Sequence, residues 1–462
     1  MTRKYADLNP IMQPKSVAII GATESSGKVG RIIMQNYIDV GFSGKIFPVN
    51  ISKPESILGF KAYASVLDVK QSIDLAVIAI PAQAVPATLE ECGKAHVKGV
   101  VVVSAGFAEV GNAELEKELE RVARKYGLPV IGPNCLGVMD LRSRINTLFL
   151  PTFKLDKPRI GNISFVSQSG AVGSAVLDEM MHEGFGLARF ISYGNASVVD
   201  EVDILNYLMH DKETKVIVFY IEGVKRGKEF IEIAKKTTKI KPVVIIKGGR
   251  SAAGMQAAHS HTAALVGNYE AYDAVFRQFG FSAAKDLKDL LNYAKIFSSQ
   301  PLSTGNRVAI LTNGGGMGVI ATDALADNGL EMAKLSKESE ASLRKRMPPI
   351  VNIRMPLDVA GDADDKRFGD ALDTIEADPG VDALLVVALF QTPGADSRVA
   401  AQLIHYATGT KKPMVVVSMG GNFTEMHKNM MESAGVPVYT SPNDAASSLA
   451  ALIRYSRYRQ MA

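Results

Sequence analysis

The chain has no tryptophan and only two cysteines, Cys92 and Cys135, which lie far apart and form no CxxC pair. That excludes a disulfide framework and a thiolate zinc knuckle, and it fits a reducing compartment. Long apolar runs are missing as well. Stretches such as Ala383 to Phe390 fall far short of the roughly 18 residues that suggest a membrane span. The amino-terminal segment MTRKYADLNPIMQPKS lacks the apolar region of a secretory signal. Charge of one sign is also scarce: the formal net charge is +4 over 462 residues, with no Lys/Arg-rich block and no basic stripe studded with aromatics. Nucleic acid is therefore not an expected partner, although a local basic site for a phosphate is compatible with this balance. Together these absences predict a cytoplasmic protein that binds neither membrane nor nucleic acid.

Apolar residues make up 47% of the chain and charged residues 22%, the balance of an ordinary globular protein, and the length suggests about three domains. Short β-branched runs alternate with amphipathic Ala/Glu/Lys-rich stretches, which predicts an α/β fold of parallel sheets built from βαβ units. A first set of runs starts at Val17, Lys45, Asp74, Gly99 and Leu128 and predicts a Rossmann-like domain over residues 1–140. A Pro- and Lys-containing segment, LPTFKLDKPRIG, leads to a second set (NISFVS, ARFISYGN, VIVFYIEG, KPVVIIKGG) and a domain over 155–298. The stretch SSQPLSTGNR breaks both periodicities and reads as a linker. RVAILTN, VDALLVVALF, KPMVVVSMGG and VPVYTS then form a third doubly wound unit over 304–462. The second and third units begin alike, with ISFVSQSGAVGSAVLDEM in one and VAILTNGGGMGVIATDAL in the other. Each predicts a strand, a small polar loop and a helix start, an arrangement whose backbone N–H groups suit a phosphate.

The first domain has its own glycine loop, GATESSGKVGR, with Gly21, Gly27 and Gly30 spaced for a tight turn at a helix start. A strict GxGxxG is absent. A Walker A loop is absent too, because Val29 follows Lys28 where a hydroxyl would hold magnesium. An NAD site would require an acidic residue at the end of the second strand. That strand ends in Pro48, Val49 and Asn50, with Lys53 just beyond. A cationic end suits a phosphorylated ribose, as in CoA or NADP. The candidate contacts are Gly21, Ala22, Thr23, Ser25, Gly27, Lys28, Val29, Asn50 and Lys53, with Ile80 and Pro81 at the end of the third strand.

Ten segments now point one way: SVAIIGATESSGKVGR, GKIFPVN, VVVSAGFAEVG, IGPNCLG, FVSQSGAVG, YGNASVVDE, YIEGVK, GRSAAGMQAAHSHTAALVG, NRVAILTNGGGMGV and PLDVAGDA. In this order they resemble the nucleoside-diphosphate-forming acyl-CoA synthetases. The resemblance is closest to the alpha-subunit branch of ADP-forming acetate–CoA ligase, within the succinyl-CoA synthetase superfamily. It implies a Rossmann-like CoA-binding domain followed by two flavodoxin-like ligase domains. It implies CoA or acyl-CoA and phosphate as substrates with a small carboxylate as product, and ADP/ATP with Mg2+ on a separate ATP-grasp beta subunit in an alpha2beta2 heterotetramer. The resemblance also implies that His261, in Ser260-His261-Thr262 with Ala263 where the family has glycine, carries a phosphoryl group. A neutral imidazole is nucleophilic near physiological pH, and the resulting phosphoramidate is reactive enough to rephosphorylate ADP. His259 is a competitor: two histidines one residue apart could equally bind a metal or be plain loop side chains. Glu222, in the family's IEG context, is the expected orienting partner of the ring. The phosphate cradles are Ser167, Gln168, Ser169 and Gly170 in one domain, and Asn313, Gly314 and Gly315 in the other. Asn134, Asn195 and Asp358 fall in shared segments without an assigned role. The competing functional reading is a non-catalytic CoA- or NADP-binding regulator, which would need neither HSHT nor two cradles.

Overall fold

The β-branched runs form strands, and the amphipathic stretches between them form the helices that cover both sheet faces. The computed structural model describes residues 5–155, 159–251, 253, 254, 256 and 269–461. They fall into two compact units, Met1–Ala283 and Ala284–Ala462.

Among the described residues the first unit holds two large sheets and a two-stranded hairpin, Ser56–Ile57 with Phe60–Lys61. One has five parallel strands in the spatial order Lys45–Val49, Ser16–Ile20, Leu75–Ile78, Gly99–Val102 and Val130–Ile131. Numbered along the chain this is 2-1-3-4-5, the flavodoxin-like order, with its switch point between the first and third strands. Ser16–Ile20 is buried at every position, as a central strand covered on both faces must be.

The second sheet repeats that order with Gly186–Ser192, Arg159–Ser167, Val216–Ile221, Val243–Lys247 and Ser282–Ala283. Beyond Gly186–Ser192 it gains an antiparallel pair, Gly137–Asp140 and Ile145–Asn146. Sequence reading carries the first domain to about residue 140, whereas Gly137–Asp140 here already belongs to the second sheet. A buried ion pair accompanies the pairing: the Arg189 guanidinium, 1% exposed, lies 2.9 Å from Asp140 and 3.3 Å from Asp211.

The second unit has the order Glu331–Met332, Arg307–Thr312, Ala383–Val387, Met414–Val417 and Val438–Tyr439, again 2-1-3-4-5. Leu357–Asp358 pairs with the carboxyl end of Arg307–Thr312. The stretch that reads as a linker is anchored in this unit. Gln300 Oε1 accepts from the Met414 N–H (2.9 Å), and Ser456 Oγ accepts from the Ser303 N–H (3.0 Å). The helix before it, Leu287–Ser299, packs on Pro442–Met461, with the Tyr293 and Ser447 hydroxyls 2.9 Å apart. No helix among the described residues is long and apolar enough to cross a membrane.

Candidate functional site

The three large sheets place their switch points where the sequence places its candidate sites. At the first, the chain leaves Ser16–Ile20 through Gly21 (φ +93°) and enters the helix Val29–Asp39. At two of its glycines the backbone passes so close to its neighbours that a side chain is excluded. A Cβ on Gly21 would sit 2.3 Å from the Ala79 carbonyl oxygen, and one on Gly30 would sit 2.0 Å from that of Gly21. Asn50 Nδ2 braces the loop by donating to the Ala22 carbonyl at 2.8 Å, so its side chain serves the turn. Ala22 is buried and Thr23 half-buried, whereas Ser25, Gly27, Lys28, Val29 and Lys53 are exposed. The helix start has no side-chain cap, which leaves its first N–H groups for an anion. Ile80 and the exposed Pro81 stand across the switch point, where the Ser104 hydroxyl accepts from the Ile80 N–H at 3.2 Å.

The second and third switch points share a construction. The last strand residue carries a buried hydroxyl that donates two residues ahead: Ser167 Oγ to the Ser169 carbonyl at 2.7 Å, and Thr312 Oγ1 to the Gly314 carbonyl at 3.0 Å. Six residues after each hydroxyl stands a glycine, Gly173 or Gly318. A Cβ there would come within 3.2 Å of Ser167 Cβ or 3.0 Å of Thr312 Cγ2. Hydroxyl and glycine draw the helix down onto the strand end and present the helix start. At Gly170–His182, Ser169 is the N-cap, its Oγ accepting from the Val172 N–H at 3.4 Å. At Gly315–Asp327 the N-cap is Gly314, without a side-chain bond. Asn313 is 1% exposed, and its amide is occupied by Leu389 and Thr392. This cradle therefore offers backbone rather than the Asn313 side chain. Asp358 lies beside it, with Oδ2 2.7 Å from where a Gly315 Cβ would stand.

Glu222 follows the strand Val216–Ile221 at the second switch point and is 5% exposed. Gln168 Oε1 accepts the backbone N–H of Glu222 (2.7 Å) and Gly223 (3.2 Å). That fixes the amide, so what Gln168 can offer a ligand is its NH2 group, a donor suited to an anion. Tyr220 donates its hydroxyl to Glu222 Oε1 at 3.3 Å. Burial, with the Glu222 charge adding to it, pushes the Tyr220 hydroxyl pKa up and keeps it a donor. Lys247 at the end of the next strand is pulled below the usual lysine range by burial, against the opposing pull of Glu222. Its ammonium lies 5.1 Å from the centre of the Tyr272 ring. Neither Tyr220 nor Lys247 is singled out by sequence. His261 and His259, with Ser260, Thr262 and Ala263, lie outside the described residues.

Within the first unit the carboxyl ends of both sheets open onto one cavity of about 630 Å3. Gln168, Ser169, Gly170 and Glu222 line it from the second sheet, and Val103, Ala105 and Glu109 from the first. Asn134 and Asn195, for which sequence gives no role, also line it and are bonded to each other, Asn134 Nδ2 donating to Asn195 Oδ1 at 3.1 Å. Their segments, IGPNCLG and YGNAS, were visible as motifs; their meeting was not. Among the described residues no group of three or more His, Cys, Asp and Glu is arranged to hold a metal ion.

Three family models match in chain order: a CoA binding domain over 15–140, a succinyl-CoA ligase like flavodoxin domain over 160–297, and a ligase-CoA domain over 308–461. The acetate–CoA ligase [ADP-forming] I subunit alpha of Pyrococcus furiosus is 38% identical over 98% of both chains. The acetate–CoA ligase [ADP-forming] of Methanocaldococcus jannaschii is 40% identical over 97% of this chain, which spans only 63% of that longer protein. Among solved structures, an acetyl-coenzyme A synthetase 1 of Ca. Korarchaeum cryptofilum, in complex with phosphate and ADP, superposes with a TM-score of 0.93 at 36% identity, covering 98% of each chain. The chain belongs to the ADP-forming acetate–CoA ligase family and is similar to its alpha subunits over nearly their full length.

Proposed function

We propose that this chain binds acyl-CoA and carries the phosphoryl group in an ADP-forming acyl-CoA synthetase, with acetate as the family's default acyl group. A phosphate oxygen attacks the thioester carbonyl, the C–S bond breaks, and CoA leaves as its thiol with acyl phosphate formed. An imidazole nitrogen of His261 then takes the phosphoryl group, releasing the carboxylate. ADP, held with Mg2+ on an ATP-grasp beta subunit, takes it in turn, and every step is reversible. Two such chains with two partners make the expected alpha2beta2 assembly. The relatives support this reading: the chain matches an alpha subunit over nearly that subunit's full length.

The observation that carries the proposal is the shared cavity. It joins the end of the CoA-binding sheet to a helix start, Gln168 and Glu222, so that a thioester and an anion can meet away from bulk water. Gln168 and the Gly170–His182 helix start would hold the phosphate, and Glu222 would hold the proton of the ring nitrogen opposite the attacking one. The purified chain, mixed with its partner, acetyl-CoA and phosphate, should carry a phosphoryl group that mass spectrometry locates on His261. Phosphate that persists in His261→Ala, or that sits on His259 instead, overturns the assignment.

A further inference from the structure

The cavity contains a relay whose hydrogen-bonding inventory fixes the polarity of one side chain. Asn195 has two amide N–H bonds, and both go to carboxylates: Glu109 Oε2 at 2.7 Å and Glu116 Oε2 at 2.8 Å. The carboxylates are themselves held. Glu109 Oε1 accepts from the Gly106 and Phe107 N–H groups (2.6 and 3.1 Å), and Glu116 accepts from the Ala108 N–H (3.2 Å) and the Ser197 hydroxyl (2.7 Å). Burial alone would raise the Glu109 pKa. The backbone donors and the Asn195 amide outweigh it and hold Glu109 below the usual carboxylate range, so it acts as an acceptor at neutral pH. With both of its N–H groups committed, Asn195 can only present Oδ1 to Asn134, and Asn134 must donate. Asn134 therefore keeps one N–H and its own carbonyl for the cavity it lines. Its backbone is fixed as well, at φ +57° with its N–H on the Ser104 carbonyl at 2.9 Å.

The charge around this amide is one-sided. Glu109, Glu116 and Glu222 line the cavity. The cation in the lining, Lys225, already donates to the Asn195 and Ala196 carbonyls at 2.9 and 3.0 Å. We propose that Asn134 donates its remaining N–H to the thioester carbonyl oxygen as that oxygen gains charge, and that Glu109 and Glu116 are positioning residues. They fix the amide through Asn195 and select against acyl chains that end in a carboxylate. This rests on the acyl-CoA reading given above and adds to it the residues that disfavour acyl chains ending in a carboxylate.

The assembled enzyme with its partner subunit separates the two claims. Phosphorylation of the chain by ATP and Mg2+ alone uses no acyl group, whereas ATP formation from acyl-CoA, ADP and phosphate does. Asn134→Ala should lower kcat with acetyl-CoA by about 10²-fold, the usual effect of removing one such donor, and leave phosphorylation by ATP intact. The wild type should prefer acetyl-CoA to succinyl-CoA by at least ~10-fold in kcat/KM. Glu109→Gln sets an N–H against the Asn195 N–H groups and removes a charge. It should slow acetyl-CoA while narrowing that preference, and Glu116→Gln should do the same. A merely architectural role would lower both substrates alike. Unchanged acetyl-CoA turnover in Asn134→Ala, an unaltered substrate ratio in both glutamine variants, or loss of phosphorylation by ATP in those variants overturns the proposal. Failure of the wild type to be phosphorylated by ATP would instead overturn the phosphoryl-carrier reading beneath it.

Discussion

Replacing Gly30 with alanine sets two effects of known size against each other. Gly30 lies in the first turn of the helix Val29–Asp39 and outside the left-handed region. Helix propensity alone would favour alanine by about 1 kcal/mol. Packing opposes this: the new Cβ would stand 2.0 Å from the Gly21 carbonyl oxygen, inside the 3.0 Å that real Cβ atoms keep. Because that oxygen is backbone, no side chain can swing away, and the helix start must lift by about the overlap. Overpacking of this kind costs about 1 to 3 kcal/mol, so packing wins and the variant should be less stable by up to ~2 kcal/mol. The displaced N–H groups matter more for function. A helix start contributes about 0.3 to 2 kcal/mol to a bound anion, so CoA affinity should fall by roughly 2- to 30-fold in calorimetric titration. Gly127→Ala is the control. Gly127 ends the helix Ala113–Tyr126 at φ +64° with open space around its Cβ, so alanine there should cost about 1 kcal/mol and leave CoA binding alone. If Gly30→Ala bound CoA as tightly as Gly127→Ala does, the helix start would not be the anion cradle.

Three further outcomes follow from the packing around the cavity and the second sheet. Glu201 is 1% exposed, and burial together with Asp200 raises its pKa to about 7. The folded state therefore binds a proton that the unfolded state releases, and stability is lost as pH rises from about 4.5 to 7. Glu201→Gln should be more stable than wild type at pH 8, by at most ~3 kcal/mol, and equal to it at pH 4, as urea midpoints would show. Removing the strand-end hydroxyls should have unequal effects. Ser167→Ala loses a donor to one carbonyl, at about 0.5 to 1.5 kcal/mol. Thr312→Val also orphans the Gly314 N–H that Thr312 accepts at 3.0 Å, adding about 1 to 3 kcal/mol; equal losses would argue against a contribution from that added bond. Arg189→Met leaves Asp140, itself 0% exposed, without its cation, and should lower unfolding stability by about 3 to 5 kcal/mol.

Local chemistry was legible in the sequence, and long-range chemistry was not. The strand-loop-helix starts at Ser167 and Thr312 are each contained in a dozen residues, so the turn and helix start follow from glycine spacing and strand pattern alone. The helix Leu287–Ser299 shows the limit of that reasoning. Its amphipathic pattern says that it must bury one face but not on which sheet, and Pro442–Met461, far along the chain, decides the matter. The Asn195 relay lies further out of reach. Its partners Asn134, Glu116 and Glu109 are 61, 79 and 86 residues away, and each sits in a segment whose own pattern predicts only a turn or a helix start. Even with the motifs in hand, Asn134 could have been donor or acceptor, because an amide offers both. Only two carboxylates converging on a neighbour with two N–H bonds remove that freedom, and this is a property of the folded arrangement rather than of any one segment.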